Sequence, residues 1–286
     1  MSSKLYIFWK KATLVLTITQ DRQPRRLRAG SGHTDTKSST NVCSWTISTK
    51  MEFALYSSNR SSVLQALATA ISSIESPRPI RIAVDGRTAS GKTTLADELA
   101  EILASQRREV IRTSIDGFHR PKAERYARGR HSPEGYYFDG RDLMAVNALL
   151  LSPLGPRGNR EYRTACFDLL NDEPLKQPAM TASPDAILIV DGTFLQRPEL
   201  APNWDLTIFV ETTKGTSERR GVGRDTELLG GIDAARQLYT TRYQPAYDLY
   251  ESMCAPSSNA DAVLNNENVD HPILRINTAG RFAERP

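Results

Sequence analysis

Cysteine is scarce in this chain. Its three copies, Cys43, Cys166 and Cys254, form no Cys-x-x-Cys pair, and the four histidines do not cluster with them. That argues against a structural zinc site and against a disulfide framework. Ordinary reduced thiols fit a cytoplasmic location, which is the expectation. Long apolar runs are missing too: no stretch reaches the roughly 18–20 residues that a membrane-spanning helix needs, so no membrane partner is expected. No Asn-Lys-x-Asp tetrapeptide occurs, so the guanine signature of a GTPase-like switch is absent. No internal repeat is present.

Excess positive charge is also lacking where it would matter. The net charge is +4, but residues 1–50 hold nine Lys/Arg against two Asp, which leaves 28 basic against 31 acidic residues in the rest. A mildly acidic body does not support a nucleic-acid partner. The first fifty residues stand apart in composition, with an apolar patch broken by Lys10 and Lys11 and then a tract rich in Arg, Ser, Thr and Gly. No small-residue cleavage pattern closes an h-region, so a signal peptide is disfavoured. A transit peptide is a second reading. The expectation is a disordered or non-native leader over 1–50, with the functional domain at 51–286.

What is present is an alternation of strand and helix patterns. Apolar spacing predicts a helix over 61–74 with a serine as N-cap. Strands are expected at 79–85, 109–115, 186–190, 206–210, 262–264 and 273–276, and helices at 95–104 and 143–151. A long helical stretch over 231–253 contains Pro245, so a break belongs there. The runs at 186–190 and 206–210 are continuously apolar, as in strands buried on both faces. The fold class read from this pattern is α/β, a doubly wound and mostly parallel sheet.

Between the first of these strands and the helix after it lies Gly86-Arg87-Thr88-Ala89-Ser90-Gly91-Lys92-Thr93, followed by Thr94. It matches G-x-x-x-x-G-K-[ST] in the strand–loop–helix context that the motif requires. Glycines let the backbone wrap phosphates, Lys92 supplies a charge to the β- and γ-phosphates, and the Thr93 hydroxyl is a ligand for Mg²⁺. A nucleoside triphosphate, with ATP the expected one, and Mg²⁺ are therefore the expected cofactors, although the loop alone does not separate a kinase from a GTPase or an ATP-driven motor. Asp116, in Ser114-Ile115-Asp116-Gly117-Phe118-His119-Arg120, ends the second strand on the edge where ligands bind; it is suited to deprotonate a hydroxyl and to approach the metal. Asp191 ends Ile187-Leu188-Ile189-Val190 in the manner of a Walker-B acid. Each of these Asp-Gly pairs, taken singly, also reads as a plain turn. His119, beside Asp116, is a candidate for contacting substrate, and Tyr136 and Tyr137 are candidates for stacking on a base or for core packing. The basic run Lys122, Arg125, Arg128, Arg130 reads as a solvated face with one member reaching an acceptor.

In these blocks the chain resembles the uridine kinase and phosphoribulokinase-like family of P-loop kinases. The resemblance runs from about Pro79 to Leu264 and rests on V-D-G-R-T-A-S-G-K-T-T, S-I-D-G-F-H-R, H-S-P-E-G-Y-Y-F-D, I-V-D-G, R-R-x-x-x-R-D and Y-T-T-R-Y-Q-P-A-Y-D-L-Y in that order. It implies a P-loop nucleoside triphosphate hydrolase fold with a helical lid near 213–235. It implies an ATP-dependent kinase with a small-molecule hydroxyl acceptor, uridine or cytidine first, and leaves self-association open. Asp116 would be the general base, and Asp191 would join Thr93 at the metal. Glu134 and Asp139 would meet ribose hydroxyls, Arg220 and Arg224 would reach the phosphates, and Arg160-Glu161-Tyr162-Arg163 would cover the acceptor. The catalytic set is thus Asp116, Lys92 and Arg224; the substrate set is His119, Glu134, Tyr136 and Arg163. Three positions depart from the family: His119 replaces a tyrosine, Glu227 to Gly231 is poorer in arginine than expected, and the Walker-B acid is Asp rather than Glu. The remaining alternatives are a kinase of another hydroxyl metabolite and a non-catalytic nucleotide-binding module.

Overall fold

Apolar residues at alternate positions feed two faces of one central sheet. The computed structural model of the chain describes residues 53–57, 59–277 and 281–283; the expected leader, 1–50, lies outside them. Seven strands make the sheet: β1 Phe53–Ser57, β2 Ile80–Gly86, β3 Val110–Ser114, β4 Ile187–Gly192, β5 Leu206–Glu211, β6 Ala262–Asn265 and β7 Ile273–Asn277. Their order is β1-β7-β6-β5-β2-β4-β3. The five from β6 to β3 run parallel, while β7 runs antiparallel to both β6 and β1. This is the mostly parallel doubly wound sheet that the alternation of elements implied. Strand β1 had no counterpart among the expected elements.

Five longer helices flank it: α1 Arg60–Ser72, α2 Lys92–Ser105, α3 Lys214–Leu229, α4 Ile232–Leu238 and α5 Gln244–Cys254. Leu67, Ile71, Leu95 and Leu99 from α1 and α2 pack with Ile82, Val84, Ile189 and Ile208 on one face. Ala83, Leu188 and Val190 point the other way, into a second cluster with Phe118, Leu150 and Trp204. Successive strand residues thus serve opposite layers, so the strands read as unbroken apolar runs.

Local chemistry adjusts some boundaries. The cap of α1 is Asn59, whose side chain accepts from the Ser62 amide at 2.9 Å, rather than a serine. Residues 239–243 form a π-helical turn immediately before Pro245, which has no amide hydrogen to continue the α pattern. The helix expected over 143–151 is α-helical at Leu143–Val146 and π-helical at Asn147–Leu151.

Candidate active site

The register of the sheet decides what meets what. Asp191 pairs with Val84 on one side and Ser114 on the other, so the ends of β2, β4 and β3 finish together on one edge. The P-loop leaves β2 there, Asp191 ends β4, and Asp116 follows β3. A cleft of about 670 Å³ opens at this edge, lined among others by Lys92, Thr93, Asp116, Asp191 and Arg224. A second cavity of about 560 Å³ beside Arg78, Pro79 and Arg160 is lined by no residue of these motifs except Arg160.

The P-loop backbone is left-handed at Ala89 (φ 60°) and Gly91 (φ 98°), a turn that gathers amide N–H groups into an anion-binding concavity. A Cβ on Gly91 would stand 2.5 Å from Nδ2 of Asn266, and one on Gly86 would stand 2.4 Å from the Val210 carbonyl oxygen, so the loop can pass only as glycine. Neighbours hold it from outside: Asn266 Nδ2 donates to the Ser90 carbonyl at 2.8 Å, and Ser217 Oγ of α3 donates to the Thr88 carbonyl at 2.6 Å. The Arg87 side chain turns away from the phosphate position. It donates to Gln244 at 2.8 Å, ion-pairs with Asp248 and Glu251, and lies 3.8 Å from the centroid of the Tyr247 ring, clamping the loop to α5.

Lys92 is buried at the start of α2, its Nζ donating to the Arg87 carbonyl at 2.5 Å. Burial pushes its ammonium pKa down to about 8, although Asp85, Asp191 and Asp116 all favour the charge. Asp85 sits fully buried under the loop, with Gly86 N, Gln196 Nε2 and the Tyr250 hydroxyl donating to it. Burial raises its carboxyl pKa against those bonds.

Thr93 and Asp191 are already joined, the hydroxyl donating to Oδ2 at 2.6 Å. Oδ1 of Asp191 has no directed hydrogen bond, although Arg112 Nη1 lies 2.8 Å from it in an ion pair. A hydroxyl and a carboxylate with an unfilled oxygen are the hard donors that Mg²⁺ takes when phosphate oxygens complete its shell. Among the described residues no group of three or more His, Cys, Asp or Glu is placed to hold a metal ion by itself.

Asp116 sits in a short turn, Ile115–Phe118, capped by Ser114. Residues 118–120 run alongside 140–142, with the Asp142 amide donating to the Phe118 carbonyl at 2.8 Å, and this brings Arg141 to the acid. Arg141 Nη2 donates to Asp116 Oδ1 at 2.6 Å. Packing against the cleft wall works to raise the Asp116 pKa, but the Arg141 charge and hydrogen bond, with Lys92, outweigh it and hold the carboxyl below its usual range. His119 contacts the Asp116 carbonyl through Nδ1 at 2.8 Å. Burial and then the Arg141 charge push its imidazole down to about 4, so it is neutral at physiological pH.

Arg224, on α3, lines the cleft and chelates its neighbour Asp225 at 2.7 and 3.0 Å. That bond raises its pKa and keeps it charged. Tyr136 also lines the cleft, packed against Phe194 and Tyr243. The structure therefore brings together Lys92, Thr93, Asp116, His119, Tyr136, Asp191 and Arg224, with Thr88 and Ala89 of the loop. It does not bring in three other expected contacts. Glu134 accepts from Ser132 Oγ away from the cleft, Asp139 pairs with Arg128, and Arg163 donates to the Gln177 carbonyl beside the short Glu161–Tyr162 strand. Arg220 likewise lies behind the loop, donating to the carbonyls of Asn266 and Glu267 at 3.1 Å.

Arg141, Arg242, Arg125, Tyr126 and Tyr243 line the cleft without having been expected there, apart from Arg125 as one of four candidates. One signal was available for Arg242. It falls at helical spacing among Tyr239, Ala246 and Tyr250, all buried, so the pattern put an arginine on an apolar face.

No protein-family model matches the chain. It is 29% identical over 194 residues to uridine-cytidine kinase B of Dictyostelium discoideum, covering 66% of this chain and 75% of that protein. It is 27% identical over 199 residues to a uridine/cytidine kinase of Arabidopsis thaliana, where it spans only 40% of that protein's length. The solved structure of a "possible uridine kinase" from Bacillus stearothermophilus superposes with a TM-score of 0.57 at 24% identity, over 71% of this chain and 97% of that one. That structure speaks to the fold, a P-loop kinase fold, and in sequence the chain is similar to uridine-cytidine kinases.

Proposed function

We propose that the chain is an ATP-dependent phosphotransferase that moves the γ-phosphoryl group to a hydroxyl of a small molecule. The observation behind this reading is the convergence, in one cleft, of Lys92 and Thr93 from the P-loop, Asp191 from β4 and Asp116 after β3. The names of the uridine-cytidine kinase relatives make a nucleoside 5′-hydroxyl the first acceptor to test.

The roles follow from geometry and charge. The loop amides and Lys92 hold the phosphates, and the arm over 213–235 acts as the lid that brings Arg224 to the transferring group. Asp116, kept ionised by Arg141, takes the acceptor proton. Thr93 and Asp191 would hold Mg²⁺, which when bound neutralises charge on the β- and γ-phosphates. Nothing covalent is asked of the protein; positioning and electrostatics supply the rate.

The test is acceptor-dependent ADP formation with labelled ATP, Mg²⁺ and a panel of hydroxyl metabolites. Asp116→Asn should lower turnover by about 10²–10⁴-fold, the range for loss of a general base, while ATP still binds. An unchanged rate removes Asp116 as the base, and ATP binding without transfer to any acceptor favours a non-catalytic module.

A further inference from the structure

We infer that the acceptor carries an anionic group, a carboxylate or a phosphate monoester, besides the hydroxyl that is phosphorylated, and that Arg242 is the residue that reads it. This rests on the phosphotransferase reading and narrows its acceptor away from a neutral nucleoside.

The argument is one of unmatched charge. Three arginines lining the cleft each have a carboxylate: Arg125 pairs with Asp172 at 2.7 Å, Arg141 with Asp116 at 2.6 Å and Arg224 with Asp225 at 2.7 Å. Lys92 faces Asp85, Asp191 and Asp116. Arg242 also lines the cleft, yet among the described residues no carboxylate stands within ion-pair distance of it. The residue is 5% exposed; its Nη1 donates to the Arg130 carbonyl at 2.7 Å, and its buried Nε has no hydrogen-bond partner. A guanidinium taken out of water without a counter-ion is costly. The rings of Tyr126, Tyr136 and Tyr243, with centroids at 4.7, 5.0 and 6.0 Å, and a side-chain hydrogen bond to Tyr126 return part of that cost, but none of them supplies a counter-ion.

The surroundings point the same way. Tyr126 stands between Arg125 and Arg242, and although burial works against it, their charges hold its phenol below the ordinary range. Its wall of the cleft is thus electropositive. Tyr136, a candidate for stacking on a base or for core packing, is engaged by Phe194, Tyr243 and the Arg242 guanidinium. His119 is neutral and adds hydrogen bonding without charge. With the ATP phosphates assigned to the loop amides, Lys92 and Arg224, a neutral acceptor would leave Arg242 without a counter-ion, and an anionic one supplies it. In the transfer itself the acceptor O–H bond breaks with its proton going to Asp116, and an O–P bond forms. The bond from the γ-phosphorus to the bridging oxygen breaks with its electron pair left on ADP, and the anionic group is unchanged.

The experiment uses the full chain with Mg²⁺ and ATP and a panel of matched acceptors, each anion beside its neutral counterpart. Glycerate against glycerol probes a carboxylate, ribose 5-phosphate against ribose probes a phosphate, and uridine represents the neutral nucleosides. In at least one pair kcat/KM should favour the anion by about 100-fold or more, the scale of a buried charge pair left unmade. Arg242→Met should reduce that preference to about tenfold or less, mostly through KM, while Arg242→Lys keeps part of it. The wild-type ratio stands without either variant should one fail to fold. Transfer to uridine or other neutral acceptors alone overturns the anionic acceptor and keeps the kinase. An unaltered preference in a folded Arg242→Met protein removes Arg242 as the reader, and no transfer to any acceptor overturns both readings.

Discussion

The two ends of the same sheet hold acid–arginine clusters that differ in one respect, completeness. At the end opposite the P-loop, Asp205 receives Arg78 Nη1 and Nη2 at 2.8 and 2.7 Å, Arg81 Nε at 2.9 Å and the Arg81 amide at 2.9 Å. Burial would raise its carboxyl, yet these bonds pull it down to about 2. At the P-loop end the polar groups are half-filled. Among the described residues six buried side-chain polar atoms lack a hydrogen-bond partner, and four belong to Ser90, Arg141, Asp191 and Arg242. Buried polar groups in native proteins are ordinarily satisfied. The Asp205 cluster is closed by its own arginines, whereas the cleft leaves more of its buried polar atoms for a ligand to meet.

The largest expected effects separate these ends most cleanly. Lys92→Ala should lower kcat/KM by about 10³-fold or more, since charge on the transferring group goes unanswered, and should change the melting temperature less than the next variant does. Asp205→Asn should do the reverse. It strands the buried Arg81 guanidinium, costing about 3 kcal/mol and about 5–10 °C in melting temperature, with turnover per folded molecule intact. Because the Asp205 pKa is depressed, its contribution is complete above the ordinary carboxylate range and lost as pH falls toward about 2. The deficit of the Asn variant should therefore vanish in acid. Calorimetry and steady-state rates on both proteins check the contrast, and a catalytic loss in Asp205→Asn with unchanged melting would break it.

The same contrast explains what was legible in the sequence. The P-loop, Asp116 and Asp191 announce themselves because each combines a strand-length apolar run with a glycine and a chemically committed side chain, and the parallel sheet brings strand ends to one edge. The acceptor side is built differently. Arg141 reaches Asp116 only because 140–142 lies along 118–120, a pairing with no periodic signature. Glu134 and Arg163 sit in the right neighbourhood of the chain, but one faces Ser132 and the other the Gln177 carbonyl. Local sequence fixes which residues lie on a loop, and tertiary pairing decides which way they face. Asp85 was read only as the last residue of its strand, whereas here it is buried beneath the loop with three donors.

Two further measurements sharpen the open end. Arg141→Gln removes the cation that holds Asp116 ionised. The carboxyl pKa should rise, so the acid limb of the rate profile should move to higher pH. ATP affinity should move little. The Lys92 ammonium, pushed down to about 8 in the free protein, is charged below that pH and loses its charge above it. The ATP dissociation constant should therefore climb by up to about tenfold per unit above pH 8, and Lys92→Arg should abolish that limb. A flat profile to pH 10 would mean that Lys92 is not what the phosphates meet.

The smallest effects fall on residues that the family resemblance nominated and the geometry leaves aside. Glu134→Gln removes a charge that accepts from Ser132 Oγ at 3.0 Å, and Arg163→Gln removes a bond to the Gln177 carbonyl at 2.8 Å. Neither residue lines the cleft. Each should change kcat/KM by no more than about threefold and stability by about 0.5–1 kcal/mol, the ordinary cost of a part-exposed hydrogen bond. The outcome bears on motion as well as on contacts. A drop of a hundredfold in Glu134→Gln would require 131–139 to swing inward when substrate binds, which would make the acceptor wall a moving part and the nucleotide wall the fixed one.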